Sequence, residues 1–289
     1  MPELPEVETV RRGLAKLIIG KSIKQVKALS DKSLLIDANT INNIVVDAKV
    51  KSVRRRAKLL IIDLTSGYSL LIHLKMTGQL VYRGETSWGG GHPNDSFLLK
   101  LPDRSTRVEF TFSDDSKLFF NDQRRFGWIK LTKTAKLHEE PFIEKLGPEP
   151  LEGNPLDRFL KNLKRHPNTS IKSAILNQSV IAGVGNIYAD ESLWQAKIHP
   201  ETKVKNVSKK DLTNLLRAIQ STMTDSIKAG GSTMKNYIKA DGSKGNYLDK
   251  FAKVFRREGK VCARCGAVII KIRVAGRGTH LCPSCQKLN

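Results

Sequence analysis

The sequence predicts an α+β protein with a β-rich N-terminal part, a helical part and a small C-terminal module. Three observations support this division. Strand-like runs separated by Gly or Asp turns fill residues 21–133, helical periodicity dominates after residue 151, and all four cysteines lie between Cys262 and Cys285. At 289 residues the chain is long enough for two domains that each bury their own core.

The first residues, Met1–Glu6 (MPELPE), fit two interpretations. A proline in the first turn, acids near the positive end of the helix dipole and an apolar face that includes Val7 and Val10 indicate a helix start. Once Met1 is removed, Pro2 has a free secondary amine beside the Glu3 carboxylate. An α-amino group titrates near pH ~8, so part of it is unprotonated at neutral pH and can attack an electrophilic carbon. The residues alone leave both interpretations open.

The β-rich part predicts a sandwich or a barrel. Residues 59–64, 68–74 and 108–112 alternate or run apolar as strands do. Residues 87–95 (SWGGGHPND) have no periodicity, and we predict a flexible glycine-rich loop there.

Three segments between these strands have unusual chemistry. Residues 54–58 (RRRAK) place four cations before a buried strand. Residues 73–78 (HLKMTG) and 121–127 (NDQRRFG) place Met76 and Phe126 on turns among basic residues. Apolar side chains in such a setting fit wedges that fill a gap in a kinked duplex. The alternative is that both side chains fold back into the core.

The second half of the chain is predicted to be helical after a linker at residues 146–151 (LGPEPL). Apolar spacing indicates helices at residues 156–163 and 171–176. A glycine-rich break then precedes a helix for which Asn186 is the predicted N-cap. Exposed N–H groups at such a helix start can hold a phosphate, although the lack of a GK[ST] motif excludes a nucleotide P-loop. Residues 229–247 indicate a second flexible, basic loop.

The cysteines form two pairs, Cys262-x2-Cys265 and Cys282-x2-Cys285, separated by sixteen residues. Two such pairs on a hairpin can supply four thiolates in a tetrahedron, which suits one structural Zn²⁺. Two disulfides are the alternative. Because four sulfur ligands leave no open coordination position, we expect the metal to fold the module rather than to take part in chemistry.

Between the cysteine pairs, residues 270–274 alternate as a strand does, and residues 275–279 indicate a turn with Arg277 at its tip. An arginine between glycines is suited to approach a phosphate closely. An ordinary solvated turn would have the same composition, so the spacing leaves both open.

The composition indicates a polyanionic partner. Lys and Arg outnumber Asp and Glu by 50 to 28, which gives a formal net charge of +22. Basic clusters gain affinity for nucleic acid by releasing counterions from its phosphates. No apolar run reaches the ~20 residues that a membrane-spanning helix needs, and the N-terminus lacks the layout of a secretory signal. We therefore expect a soluble, cytoplasmic protein.

Taken together, these segments resemble a bacterial formamidopyrimidine-DNA glycosylase. The resemblance rests on PELPEVET, RRRAK, HLKMTG, NDQRRFG, LGPEPL, AGVGNIYADE, GGSTMKNY and the four-cysteine finger, which follow the family's order over almost the whole chain. Three features depart from the family pattern. Gln123 stands where many members have Pro, residues 104–108 replace a His-rich segment, and residues 87–95 look like an insertion.

The resemblance implies a fold and a set of domains. Residues 1–135 would form an N-terminal β-sandwich flanked by helices, and residues 136–155 a linker. Residues 156–250 would form a helix–two-turn–helix domain with a lesion-recognition loop, and residues 251–289 a β-hairpin zinc finger with one structural Zn²⁺. The implied partner is double-stranded DNA with oxidised purines or abasic sites, bound in the cleft between the domains. We expect a monomer of the bacterial cytoplasm, associated with the nucleoid when on DNA, with no membrane partner.

The resemblance also implies an activity, that of a bifunctional DNA glycosylase and AP lyase. Such an enzyme flips out an oxidised purine such as 8-oxoguanine or a formamidopyrimidine, removes it, and cuts the strand by β,δ-elimination. Pro2 would form a Schiff base with the sugar and Glu3 would donate the proton that opens it. Lys58 would assist, and Arg277 would act in the second elimination.

Eight further residues match positions at which the family contacts DNA. Met76, Arg124 and Phe126 would fill the gap left by the flipped base. Asn186 would hold phosphates beside the lesion, and Lys235 belongs to the loop that would fold over the purine. The other three are Glu6, His73 and Tyr188.

Two other functions stay open from the sequence. An endonuclease VIII-like glycosylase for oxidised pyrimidines would share the nucleophile and the finger, although Leu4 and residues 230–235 (GGSTMK) favour the purine enzyme. A non-catalytic zinc-finger DNA-binding protein would use only the finger and the basic surface. For that protein, replacing Pro2 with Gly would change nothing measurable.

Overall fold

The computed structural model describes residues 1–30, 32–92, 96, 99–231, 248 and 251–288. The chain divides into two compact units. The first consists of Met1–Glu144 with Ala229–Asn246, and the second of Lys145–Lys228 with Tyr247–Asn289. Residues 232–247 of the second predicted loop, which include Lys235, are not among the described residues. In the part of the chain that is described, no helix has both the length and the hydropathy to span a bilayer.

The first unit consists of two antiparallel sheets with helices at their edges, which is the predicted sandwich. The elements are α1 Leu4–Ile18, β1 Ile23–Ala28, α2 Ala38–Val45, β2 Val50–Arg56, β3 Leu59–Leu64, β4 Tyr68–His73, β5 Gly78–Arg83, β6 Ser87–Gly91, β7 Thr106–Phe112, β8 Lys117–Asp122, β9 Trp128–Lys133 and α3 Pro141–Glu144. A five-stranded sheet has the order β1-β7-β8-β5-β6, and a four-stranded sheet has the order β2-β3-β4-β9. A 3₁₀ turn, Thr134–Glu139, follows the last strand.

Strands β3 and β4 are buried on both faces, which explains their continuous apolar runs. Their inward side chains join the core shared by the two sheets, α1 and α2. The outward side chains of Leu59, Ile61 and Leu71 pack under the 3₁₀ turn and α3, against Leu137, Phe142 and Ile143. The four-stranded sheet is thus the middle layer of the first unit.

The predicted flexible loop at residues 87–95 was wrong for its first half. Ser87–Gly91 form strand β6, which pairs with β5 at the edge of the five-stranded sheet. Gly90 on this strand and Gly13 on helix α1 allow the helix to lie close to this edge. A Cβ on Gly90 would lie 2.8 Å from Val10 Cγ2, and a Cβ on Gly13 would lie 2.4 Å from Trp88 Cζ2. Glycine here reflects close packing of a helix on a strand, which the lack of periodicity concealed.

The second unit is helical and ends in a β-hairpin, as predicted. Its elements are α4 Leu156–Leu163, α5 Ile171–Leu176, α6 Asn186–Gln195, α7 Lys209–Lys228, β10 Ile270–Val274 and β11 Arg277–Leu281. Residues 146–150 of the predicted linker are buried in this unit. The Gly147 N–H donates to Gln178 O at 2.8 Å, and a Cβ on Gly147 would lie 2.7 Å from Ser179 O.

The contact between Gly13 and Trp88 predicts that Gly13→Ala destabilises the first unit. In an exposed helix this change stabilises by ~1 kcal/mol, but here the added methyl group clashes with a buried indole and should cost about 1–3 kcal/mol. Urea unfolding measures the effect. In a Trp88→Leu background the same change should show the ordinary helical gain, and equal destabilisation in both backgrounds would contradict the packing argument.

Candidate active site and metal centre

The N-terminal residues form the start of α1, which two glutamates cap. Glu3 is the N-cap residue, and Glu3 and Glu6 form a capping box in which the Glu3 N–H donates to Glu6 Oε2 at 2.8 Å. Pro2, Glu3 and Glu6 are buried, whereas Met1 is exposed. The helix-start interpretation is therefore correct, and the capping box gives the Glu3 carboxylate beside Pro2 a defined position.

One residue near this N-terminus was missed by the sequence analysis. Burial, followed by the positive charge of the N-terminal amino group, lowers the pKa of His92. Its backbone N–H donates to Gly78 O at 2.9 Å, which continues the edge of strand β6. His92 lies in the segment for which the sequence predicts a flexible loop, so no sequence signal connects it with the N-terminus.

Lys58 lies in the two-residue turn between β2 and β3, where Arg56 pairs with Leu59. Its side chain is buried, which is unusual for lysine. The preceding Ala57 has φ 53°, a left-handed conformation that costs a non-glycine residue ~1–2 kcal/mol. The turn thus holds Lys58 in an inward position at some conformational cost.

His73 ends strand β4 and is a buried, neutral imidazole. Burial, and secondarily the charges of Lys75 and Lys58, lowers the pKa of His73 to about 3. Its ring lies 5.7 Å from the Trp128 ring and 5.2 Å from the Phe142 ring. His73 Nδ1 accepts a hydrogen bond from the Lys75 backbone N–H at 3.0 Å, so the ring proton is on Nε2, which can act as a donor.

The side chains of Met76 and Phe126 do not fold back into the core. They are 38% and 52% exposed, on the turns where the sequence placed them. The guanidinium of Arg124 lies over the Phe126 ring, 4.8 Å from its centroid. Within these turns, Lys75 and Arg125 have left-handed backbone conformations, with φ values of 48° and 56°. The exposed positions are those that the wedge interpretation requires.

In the second unit, Asn186 is the first residue of α6 and not its N-cap, which is Gly185. A glycine serves as cap because the chain enters the helix from a tightly buried glycine-rich turn. Tyr188 is fully buried, and its hydroxyl lies 2.5 Å from Ser226 Oγ. The Tyr188 side chain belongs to the core of this unit, and the predicted DNA contact stays a prediction.

The hairpin that carries Arg277 is joined to Asn186. The Asn186 amide donates to Gly278 O at 3.0 Å, and the exposed Arg277 precedes that glycine. Arg277 is the first residue of β11, directly after a turn formed by Ala275 and Gly276, rather than the tip of the turn. The structure thus brings together two residues that are ninety-one positions apart in the sequence.

A buried ion pair supports this junction and was missed by the sequence analysis. Lys172 Nζ lies 2.6 Å from Asp190 Oδ1, with both side chains fully buried. Lys172 also donates to Gly278 O at 3.2 Å and to Thr279 Oγ1 at 2.7 Å. Asp190 Oδ2 accepts the His280 N–H at 2.9 Å. The only sequence signal was the presence of charged residues within apolar helical segments.

The four cysteines lie together with thiol groups that can hold a metal ion. Their Sγ atoms are all within 4.8 Å of one another, and none forms a disulfide. Backbone N–H groups of Arg264 and Cys285 donate to Cys262 Sγ and Cys282 Sγ, each at 3.4 Å. The Trp194 indole N–H also donates to Cys262 Sγ at 3.4 Å. Donors of this kind stabilise thiolates, so the set fits a tetrahedral zinc ion.

Three family models match this chain in sequence order. The formamidopyrimidine-DNA glycosylase N-terminal domain matches residues 1–129, and the formamidopyrimidine-DNA glycosylase H2TH domain matches residues 146–237. The zinc finger found in FPG and IleRS matches residues 259–288. The chain belongs to the formamidopyrimidine-DNA glycosylase family. This confirms the resemblance found in the sequence and identifies the chain as a DNA glycosylase of base excision repair with a zinc-finger module.

Individual relatives agree along their full lengths. Formamidopyrimidine-DNA glycosylases of Pelotomaculum thermopropionicum and Ligilactobacillus salivarius are 41% and 38% identical, over 100% and 99% of both chains. The Lactococcus lactis Fpg bound to DNA with an abasic site is 33% identical with a TM-score of 0.85, covering 99% of each chain. A MutM complex with DNA containing carbocyclic 8-oxo-G has 33% identity and a TM-score of 0.84, over 99% of this chain and 100% of the other. The predicted fold class is therefore confirmed.

The pKa of His73 predicts a pH-dependent loss of stability. The pKa of His73 is about 3 in the folded state against 6.5 in the unfolded chain, so between these values only the unfolded chain binds the proton. The stability that neutral, buried His73 contributes is therefore complete above pH 6.5 and is lost as the pH falls toward 3. Between about pH 7 and pH 5 the unfolding free energy should fall by roughly 2 kcal/mol more in wild type than in His73→Gln. Denaturant unfolding at both pH values measures this.

The exposed His138 is the matched control for this measurement. His138→Gln should keep the wild-type pH dependence. A wild-type curve parallel to that of His73→Gln would show that His73 titrates normally.

Proposed function

We propose that this protein is a bifunctional glycosylase and AP lyase that removes oxidised purines from double-stranded DNA through a Schiff base on Pro2. The supporting observation is the buried Pro2–Glu3 pair at the start of α1, held by the capping box, in a chain of this family. Solved relatives are complexes with DNA that carries an abasic site or an 8-oxoguanine analogue. We propose the same class of DNA as partner, bound by a monomer.

The first chemical step uses the Pro2 nitrogen, which must be freed by removal of Met1 because a peptide nitrogen has no lone pair to give. The lone pair attacks C1′ of the flipped-out nucleotide, and the bond from C1′ to the base breaks. The base leaves with the bonding electrons and takes up a proton, while the Pro2 nitrogen loses the proton that it carried as an amine. Glu3 donates a proton to the ring oxygen, which opens the sugar and leaves an iminium between Pro2 and C1′.

The strand is then cut by two eliminations. The iminium acidifies C2′–H, and loss of this proton expels the 3′ phosphate. A second elimination expels the 5′ phosphate, and hydrolysis of the remaining iminium frees Pro2. In this proposal Lys58 assists at the sugar, and Arg277 neutralises the phosphate that leaves in the second step.

Six further residues would position the DNA. Met76, Arg124 and Phe126 would fill the gap left by the flipped base, with the arginine facing the orphaned partner base. His73 would donate from neutral Nε2–H, and Asn186 from its amide, to phosphates beside the lesion. Glu6, through its contact with the Glu3 backbone, would line the pocket beside Pro2. The proposed contact of Lys235 lies outside the described residues.

We further propose that Cys262, Cys265, Cys282 and Cys285 hold one structural Zn²⁺. The four clustered thiols and the N–H groups aimed at two of them support this choice. When bound, zinc supplies cross-linking of the module and no chemistry, because four sulfur ligands fill its coordination sphere. Its effect on activity would be to keep β10 and β11, and with them Arg277, folded.

Borohydride trapping tests the catalytic proposal. With a duplex that carries 8-oxoguanine opposite cytosine, the wild-type protein should give a covalent protein–DNA adduct after reduction of the iminium. The adduct should be lost in Pro2→Gly. It should also be lost in a protein whose N-terminal extension keeps Pro2 in a peptide bond, because the nitrogen is then acylated.

Pro5→Ala serves as the control, since it removes a proline from the same helix start without changing the N-terminal amine. Mass spectrometry confirms free Pro2 in each preparation. Trapping by the extended protein would eliminate Pro2 as nucleophile. Adduct formation with thymine glycol in preference to 8-oxoguanine would support the pyrimidine enzyme instead.

The zinc proposal predicts that Cys282→Ser loses bound metal and affinity for DNA together, because a three-thiolate site no longer folds the hairpin that carries Arg277. Metal content is measured by elemental analysis, and affinity by fluorescence anisotropy. Ser284→Ala, an exposed position between two ligands, should retain both. Wild-type DNA affinity in metal-free protein would contradict a structural role for zinc.

A further inference from the structure

Asp122 lies at the junction of the two turns that carry Met76 and Phe126. It is the last residue of β8, and it pairs with Gly78, the first residue of β5. One turn therefore ends, and the other begins, at this pair. Asp122 is fully buried. A buried carboxylate at such a point has to be satisfied by donors from its surroundings.

The carboxylate of Asp122 accepts hydrogen bonds from both turns. Oδ1 accepts a short hydrogen bond from the Thr77 hydroxyl and one from the Arg124 N–H at 3.1 Å. Oδ2 accepts from the Gly127 N–H at 2.6 Å. The Arg124 N–H also reaches Thr77 Oγ1 at 3.1 Å, so the first turn bonds directly to the second. Hydrogen bonds to an ionised acceptor are the stronger class.

Each donor is a proposed wedge residue or a direct neighbour of one. Thr77 follows Met76, Gly127 follows Phe126, and the third donor is the backbone of Arg124 itself. A backbone shift that moved any of the three wedge side chains would therefore break a hydrogen bond to the Asp122 carboxylate. The two turns are thus joined through one group.

The backbone around these bonds is strained and closely packed. Lys75 and Arg125 have left-handed φ values, which persist only where surrounding contacts hold them. A Cβ on Gly127 would lie 2.6 Å from Phe120 Cζ and 3.0 Å from Asp122 Oδ2. The hydrogen bonds to Asp122 are the contacts that hold the second turn in this conformation.

We infer that Asp122 is a positioning residue that makes Met76, Arg124 and Phe126 a single preorganised wedge for the gap in the duplex. This inference rests on the proposed function, in which these side chains replace the flipped base. The wedge matters only where a partner strand leaves an orphaned base. On single-stranded DNA no such gap exists, and Pro2 can react without it.

The test compares duplex and single-stranded substrates for Asp122→Asn and for Thr77→Val. Asn removes the charge and turns an N–H₂ group toward one of the three donors, while Val keeps the shape of Thr without its hydroxyl. Each variant should excise 8-oxoguanine from duplex DNA about 10- to 100-fold more slowly in single turnovers, because misplaced positioning groups cost up to that much. Borohydride trapping on single-stranded abasic DNA should stay at the wild-type level.

A second readout follows the wedge directly. A 2-aminopurine placed opposite the lesion reports unstacking of the orphaned base when the wedge enters. Its fluorescence change should be reduced in both variants. The double variant should be no worse than Asp122→Asn alone, because both changes break the same network.

Asp63→Asn is the matched control. Asp63 is a buried carboxylate on β3 in the other sheet, and it accepts hydrogen bonds from Ser52, Arg54 and Ser69. Its loss should lower stability without changing the ratio of duplex to single-strand reaction. Equal losses on both substrates for Asp122→Asn and Thr77→Val, or no loss on either, would overturn the inference. Failure of the proposed function itself is distinguishable, because wild type would then give no adduct with either substrate.

Discussion

Left-handed backbone at non-glycine residues is the constraint on which the proposed site depends. Ala57, Lys75, Arg125 and Ala275 have φ values between 47° and 56°, and each lies within two residues of a proposed functional side chain. Each such residue costs ~1–2 kcal/mol relative to a right-handed conformation. The strands on either side are hydrogen-bonded to neighbouring strands, and they supply the contacts that keep the turns in place. The sheets thus serve as rigid supports for short, strained turns.

Buried charge plays the corresponding part in the second unit. The Lys172–Asp190 pair and the neighbouring Glu191 all lie inside the unit, on or against α6. Burial raises the pKa of Glu191, although it accepts backbone N–H groups from residues 253, 254 and 255. Buried ion pairs add little net stability, but removing one partner is costly, so they favour one arrangement over others. Here the arrangement joins α6 to the hairpin that carries Arg277.

Local spacing was enough to predict a β-rich part, a helical part and a four-cysteine module, whereas the sandwich and the helix–two-turn–helix arrangement were implied by the family resemblance. A buried strand such as Leu59–Leu64 is recognised by its apolar run, and a tetrahedral metal site by the spacing within each cysteine pair. Both patterns extend over only a few residues. The exposed positions of Met76 and Phe126 needed only the observation that apolar side chains stood on basic turns. The helix start beside Pro2 and Glu3 could also be predicted from the first six residues alone.

The remaining features depend on contacts between distant residues, and no local pattern contains them. Strand β6 was hidden because its Trp88 and Gly90 pack against Gly13 and Val10 on a helix more than seventy positions earlier. Tyr188 matched a family motif, yet its hydroxyl is satisfied by Ser226 inside the core. In the sequence, Asp122 looks like any residue at the end of a strand. Only the pairing of Asp122 with Gly78 places Thr77 beside its carboxylate. Such residues are recognised only after the sheet has assembled.

The position of Trp194 gives the second unit an intrinsic optical reporter. Its indole N–H points at Cys262 Sγ, and the Arg264 guanidinium lies 3.9 Å from its ring centroid. The other two tryptophans, Trp88 and Trp128, belong to the first unit. Sulfur and a cation within contact distance make the emission of this indole sensitive to the charge on the thiol cluster. In a variant that keeps Trp194 as its only tryptophan, the fluorescence intensity would therefore report metal binding to the cysteine site and metal release from it.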